Sequence, residues 1–284
     1  MISVTVPFLS ARVPLQPPSM PLRPSAWLGH EPFAFWLVDA LRPRRVVELG
    51  VHHGASFCAF GEAILSLGLD AECVGVDSWD ANDQAGRHAA EEALAELRSY
   101  HDPRYGHFSR LLRTSFDAAA AEMAPGSVDL LHVDGLHSYD AVRHDYEVWA
   151  PKLSDRAVVL FHDIAVVERG FGVHRFWAEI SAGRPNFTFD HAHGLGVLGH
   201  GPNLPDSVME LLAAEPVEAE RIRALFATLG ERAVRDRAQR AAPRMQSSPI
   251  PQAPPLVMPP SPWRDWLVRG MPRPVRSVLR RVVG

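Results

Sequence analysis

Lysine is almost absent from this chain: Lys152 is the only one among 29 lysine and arginine residues, so nearly every cationic side chain is a guanidinium. With abundant alanine and 25 prolines, that bias points to a GC-rich bacterial genome. Cysteine is scarce too. Cys58 and Cys73 both lie in apolar segments, which argues against a disulfide framework and for a reducing cytoplasm. The formal net charge of −4 gives no global attraction for nucleic acid. No apolar run approaches the roughly 20 residues that a membrane-spanning helix needs. The first residues, broken by Pro7, Pro14, Pro17 and Pro18, do not read as a secretory signal. What is there is 46% hydrophobic and 22% charged, the balance of a soluble globular protein. A chain of 284 residues suffices for one large α/β domain with extensions.

Residues 1–25 are proline-rich and aperiodic, and read as an extended or disordered arm. From Ser25 to Leu41 the apolar spacing suits a helix. Strands are expected at 45–49, 72–77, 109–113, 128–133, 157–162, 185–191 and 195–199. Helices are expected between the first five, at Ser56–Leu67, Ala85–Tyr100, Phe116–Met123 and Tyr139–Ala150. That alternation predicts a Rossmann-like, doubly wound sheet, and the short His193-Gly194 link predicts an antiparallel hairpin at one edge. The main domain is expected over 26–205, followed by C-terminal helices over 206–241 with breaks near Pro216 and Gly230. A proline-rich linker is expected over 242–262. A basic tail, 263–284, sets six arginines against Asp265, interleaved with Trp263, Trp266 and aliphatic residues. Such a tail suits the inner surface of an anionic membrane or a partner protein.

The segment Val46-Val-Glu-Leu-Gly-Val-His-His-Gly54 reads as a strand running into a glycine turn. Cys73-Val-Gly-Val-Asp77 reads as the next strand, ending in a carboxylate. In an open α/β sheet the glycines let a nucleoside come close, and the acid accepts from ribose hydroxyls. Gly50 and Gly54 are spaced G-x-x-x-G, not G-x-G-x-x-G. That suits S-adenosylmethionine, which has no pyrophosphate to cradle. A nicotinamide-dependent oxidoreductase is disfavoured further, because Lys152 forms no Tyr-x-x-x-Lys pair.

Two further strand ends carry chemistry. The fourth strand leads to Asp134 and His137, and the fifth ends in His162-Asp163. Adjacent parallel strands bring these four to one mouth, where they can bind a divalent metal or relay a proton. An imidazole of near-neutral pKa can take the proton of an attacking hydroxyl. His132 is assigned no role. A facial-triad iron oxygenase is disfavoured by the α/β pattern, and a non-catalytic assembly module remains as the alternative to an enzyme.

The motifs Glu48-Leu-Gly50, Asp77-Ser-Trp79, Leu131-His-Val-Asp-Gly-Leu-His-Ser-Tyr139 and Val158-Val-Leu-Phe-His-Asp163 together resemble bacterial class I methyltransferases that use S-adenosylmethionine. The likeness extends over roughly residues 25–205. It is greatest to the small type associated with glycosyltransferases of surface polysaccharide synthesis, and more distant to macrocin-type sugar O-methyltransferases. The resemblance implies methylation of a sugar hydroxyl on a small-molecule or glycan acceptor, and a glycosyltransferase as a possible contact of the tail. It implies Glu48, Gly50, Gly54 and Asp77 around the cofactor, with Ser115, Phe116 and Asp117 near the adenine and Asp134 close by. It implies His137 as the base, with His162 also at the catalytic mouth, and Asp134, His162 and Asp163 as ligands of magnesium or manganese. His162 stands where those relatives carry an acid, which weakens the case for magnesium and leaves manganese, iron or no metal open.

Overall fold

The computed structural model describes residues 3–5, 12–14, 25–80, 84–168 and 170–246. Within the N-terminal arm, Ser3–Thr5 (β1) and Arg12–Pro14 (β2) pair antiparallel. A 3-10 turn, Ala26–His30, leads into Glu31–Leu41 (α1), with the Ser25 hydroxyl accepting from the Trp27 amide. The alternating part follows as Arg45–Leu49 (β3), Ala55–Leu67 (α2), Glu72–Asp77 (β4), Gln84–Tyr105 (α3), Ser109–Arg113 (β5) and Phe116–Glu122 (α4). It continues as Val128–Val133 (β6), Tyr139–Trp149 (α5), Leu153–His162 (β7), Val173–Ile180 (α6), Asn186–Phe189 (β8) and Leu195–Gly199 (β9). Asp206–Leu212 (α7) and Pro216–Gln246 (α8) close the described chain.

Seven strands form one sheet in the order β5-β4-β3-β6-β7-β9-β8. The first five are parallel, and β9 and β8 add antiparallel at one edge. This is the seven-stranded, doubly wound α/β sheet with an antiparallel edge pair that the sequence predicts. From β3 the chain winds outward through β4 and β5, then returns to lay β6 on the other side of β3. The order therefore reverses between β3 and β6, and ligands of open α/β sheets bind beyond the carboxyl ends of the strands at such a point.

Strand alternation sorts the core into two layers. Val46, Leu130, Val158 and Leu160 face α1 and α2, where Phe33, Trp36, Phe57 and Phe60 pack. Val47, Leu131, Val159 and Phe161 face the other side, against Tyr146, Trp149, Phe176 and Trp177. Both faces are covered, which is why β6 reads as an unbroken buried run.

Several boundaries differ from expectation: α3 runs on to Tyr105, and β8 is shortened to Asn186–Phe189. Strand β7 begins at Leu153, four residues early, with a register shift against β6 between Val128 and Leu130. The break near Pro216 is present, since α8 starts there. The break at Gly230 is not: α8 runs through it. A Cβ at Gly230 would lie 2.0 Å from the Gly29 carbonyl oxygen, so this glycine permits close packing on the 3-10 turn and is not a helix stop. Helix α8 also continues to Gln246, into the stretch expected as linker. The rest of the linker and the basic tail lie outside the described residues. Among the described residues, no helix is long and apolar enough to cross a membrane.

Candidate active site

The turn leaving β3 sets the geometry. Gly50 has φ +91°, and a Cβ there would lie 2.1 Å from the Asp134 carbonyl oxygen. Only glycine lets the β3 and β6 ends come this close. The Gly50 amide donates to Val76 O (2.9 Å) and the Asp134 amide to Leu49 O (2.9 Å), so three strand ends are joined at one level. Asp77, at the tip of β4, accepts from the His52 amide (2.9 Å) through one oxygen and from the Trp79 amide (2.8 Å) through the other. The Trp79 indole N–H donates back to His52 O (3.0 Å). The Asp77 carboxylate is thus held in place by backbone donors, with lone pairs left over.

Above these strand ends lies a cavity of about 730 Å³. Gly50, Asp77, Ser115, Phe116, Asp134, His137, His162 and Asp163, all named from the sequence, line it. Ser115 also caps α4, its hydroxyl accepting from the Ala118 amide (3.2 Å). Phe116 packs over Gly135, where a Cβ would come within 2.5 Å of the ring.

Three residues expected at the cofactor do not line the cavity. Gly54 is the N-cap of α2, and its backbone packs on Leu97. Asp117 points to the surface and pairs with His144 (3.0 Å). Glu48 is completely buried under the floor. Its Oε1 accepts from the Ser56 hydroxyl (2.6 Å), and its Oε2 accepts from His132 Nδ1 (3.1 Å). The Trp27 indole N–H donates to His132 Nε2 (3.1 Å), which fixes the imidazole as the Nδ1–H tautomer. Burial raises the Glu48 pKa, against the pull of His132. His132, given no role from the sequence, is the link between floor and wall. Trp27 and Ser56, also unforeseen, line the cavity. Nothing local marks Trp27, because its partner His132 lies 105 residues along the chain.

At the β6 and β7 ends the charged groups converge. His137 Nε2 is 2.9 Å from Asp163 Oδ2 and 3.5 Å from Asp134 Oδ1. His162 Nδ1 is 3.4 Å from Asp134 Oδ1 and 3.5 Å from Asp163 Oδ1. His162 Nε2 donates to Ala192 O (3.1 Å), so Nδ1 is the nitrogen turned to the carboxylates. Asp163 holds φ +62°, an unusual conformation for a side-chain-bearing residue, and such outliers cluster at functional sites. One oxygen each of Asp134 and Asp163 and one His162 nitrogen lie within 4.8 Å of one another, a spacing that a metal ion can bridge.

Hydrogen bonds from His137 to Asp134, then to Asp163, raise the imidazole's pKa to about 9, against burial. In this arrangement the two carboxylates therefore favour the protonated imidazole of His137. Burial opposes charge on Asp134, yet His162 and His137 hold its pKa well below the usual carboxylate range. Asp163 is likewise depressed, chiefly by His137 once burial is overcome. For His162 burial is also the largest influence, but the Asp134 charge outweighs it and the net shift is upward. The Phe171 ring stacks on His137 with centroids 4.3 Å apart. His193, read from the sequence only as a turn residue, also lines the cavity and meets Asp163 (3.0 Å).

Residues 47–164 match a family model described as "Methyltransferase domain". An uncharacterized protein of Sinorhizobium fredii is 46% identical over 231 residues, covering 80% of this chain and 25% of that protein. The chain thus spans about a quarter of the length of this curated relative. Among solved structures, this chain is similar to the O-methyltransferase TomG of tomaymycin synthesis from Streptomyces achromogenes, solved with S-adenosylmethionine. The two are 22% identical with a TM-score of 0.43, over 63% of this chain and 82% of that one. A methyltransferase from Geobacter sulfurreducens gives 19% identity and a TM-score of 0.43, over 60% and 77%. The stretch 47–164 thus resembles a methyltransferase domain in sequence, and it carries the central strands of the β5-β4-β3-β6-β7-β9-β8 sheet.

Proposed function

We propose that this chain transfers a methyl group from S-adenosylmethionine to a hydroxyl oxygen, with a sugar of a glycan or polysaccharide precursor as acceptor and a divalent cation at the acceptor end. The observation that carries this reading is that one cavity at the β3/β6 switch point holds both sets of residues. One end has the Gly50 turn and the Asp77 carboxylate, and the other has Asp134, His137, His162 and Asp163. The residues fit the cofactor. Gly50 admits a close approach, Asp77 offers a fixed carboxylate to the ribose hydroxyls, and Ser115 and Phe116 offer a polar edge and an aromatic face to the adenine. They also fit a divalent ion, with one oxygen from each of two carboxylates and an imidazole nitrogen within 4.8 Å of one another. Manganese accepts that mixed oxygen and nitrogen set more readily than magnesium.

In the transfer, the acceptor oxygen attacks the sulfonium methyl carbon and the carbon–sulfur bond breaks. The hydroxyl proton passes to a base, leaving S-adenosylhomocysteine and the methyl ether. A cation held by Asp134, His162 and Asp163 would supply positive charge that acidifies and orients the hydroxyl. His137 is the base: with Asp134 and Asp163 holding a cation, the partners that raise its pKa would be withdrawn and its imidazole could accept the proton. Phe171, stacked on His137, limits its ring to one orientation.

Calorimetric titration of S-adenosylmethionine tests the donor half. Wild type should bind at micromolar concentration, and Asp77→Asn about 10- to 30-fold more weakly, as one charged acceptor becomes neutral. Radiolabelled methyl transfer to nucleotide sugars and glycans, with manganese and with EDTA, tests the acceptor half. Absence of cofactor binding by wild type would sink the transferase reading and favour the assembly-module alternative.

A further inference from the structure

The link between β8 and β9 reads in the sequence as a plain hairpin connection, yet in the fold it is an unusual one. Ala192, His193 and Gly194 take φ of +51°, +68° and +86° in succession. Two of the three carry side chains, which this region disfavours. The turn is braced from behind. His191 Nε2 donates to Gly29 O (3.3 Å) and His30 Nε2 to Ala192 O (3.2 Å), so the 3-10 turn before α1 supports it. From the front, the Ala165 amide donates to His193 O (2.9 Å).

What the turn presents forward explains why it is held so firmly. The Ala192 carbonyl accepts from His162 Nε2, which leaves Nδ1 facing Asp134 and Asp163 at 3.4 and 3.5 Å. Those separations are long for hydrogen bonds. They suit neighbouring ligands of one ion, since one oxygen of each carboxylate and the His162 nitrogen lie within 4.8 Å of one another. His193 Nδ1 donates to Asp163 Oδ1 at 3.0 Å, steadying the second carboxylate. Metal-binding histidines and carboxylates are commonly oriented in this way by an outer layer of carbonyls and hydrogen-bond donors.

We propose that the β8–β9 turn is the outer shell of the divalent-cation site, with the Ala192 carbonyl positioning His162 and the His193 imidazole positioning Asp163. This rests on the cation half of the proposed function. Both are positioning groups: they act through the ligands. The proposal accounts for a half-exposed histidine, 54% accessible, in a conformation that asparagine or glycine would adopt more easily.

The test is titration of manganese into the full-length protein, followed by electron paramagnetic resonance of the free ion, with calorimetry of S-adenosylmethionine in parallel. His193→Ala should weaken manganese about 10- to 100-fold while leaving cofactor affinity unchanged. His193→Asn keeps an N–H near the position of Nδ1 and should restore manganese affinity to within a few-fold. Gly194→Ala should also weaken manganese, since its Cβ would come within 2.8 Å of the Ala165 amide and move the turn. Cofactor binding by that variant reports that it has folded. If wild type itself fails to bind manganese, the cation reading falls and this proposal with it. If wild type binds and His193→Ala binds equally well, the turn is only structural and this proposal alone is overturned. If His193→Asn stays as weak as His193→Ala, the hydrogen bond to Asp163 is not what positions the ligand, and the role of His193 is refuted.

Discussion

Glu48 is completely buried and communicates with the cavity only through Ser56 and the His132–Trp27 pair, so its replacement should act on stability before it acts on ligand. In Glu48→Ala the Ser56 hydroxyl and the His132 Nδ1–H both lose their acceptor. Each buried donor left alone costs about 1–3 kcal/mol, and the missing side chain opens a void. Against this stands the relief of no longer burying a carboxylate, whose pKa burial already raises. The balance is a loss of about 3 kcal/mol, or about 6–12 °C in Tm for a domain of this size. Glu48→Gln keeps an oxygen for His132 and offers an N–H to Ser56, whose hydroxyl can rotate. It should cost about 1 kcal/mol or less. Thermal melts give the stabilities, and calorimetry gives the cofactor affinity, which in Glu48→Gln should stay within about threefold of wild type. A Glu48→Gln protein that melts like wild type but has lost tenfold or more in affinity would refute the reasoning. It would mean that Glu48 touches the cofactor directly.

Gly50→Ala should be severe, at about 3 kcal/mol or more with cofactor binding lost, because its Cβ would lie 2.1 Å from the Asp134 carbonyl at φ +91°. Gly68→Ala, at φ +60° with nothing within 4 Å, isolates the backbone penalty and should cost only about 1 kcal/mol in the same melts. Asp145 is buried on α5, and burial pushes its pKa from 3.8 to about 6. Its folded pKa lies above the unfolded one, so the wild type loses stability as pH rises from about 4 to 6. Asp145→Asn does not titrate, and should equal wild type below pH 4 and exceed it by about 1–2 kcal/mol above pH 7, allowing for partial solvent screening. Denaturant unfolding across that range checks the sign, and a difference independent of pH would count against it.

Much of this molecule is local and therefore legible. β3, β4, β6 and β9 end where apolar runs meet glycine or a carboxylate, because a buried strand must be apolar and must stop at the sheet edge. The parallel winding follows from strands alternating with helices. That winding in turn predicts that Gly50, Asp77, Asp134, His162 and Asp163 meet at one edge. Type of residue and position on a strand sufficed for these.

Other features depend on pairs that the sequence separates widely. His132 looks idle until the fold sets it between Glu48, 84 residues before it, and Trp27, 105 before it. Glu48 sits in a cofactor motif, yet its side chain points below the floor, because which face a strand residue takes is settled only once the sheet and its covering helices are assembled. The charge on His137 is set by two carboxylates that only the adjacency of β6 and β7 brings to it. Gly230 reads as a helix break, and its real constraint is the Gly29 backbone about 200 residues away. The sequence by itself determined the elements, the sheet and the edge where ligand chemistry collects, since these follow from hydrophobic period and turn composition. Tertiary structure alone decided which polar groups support, which face the cavity and what charge they carry, since burial and electrostatic partnership are properties of distance in space.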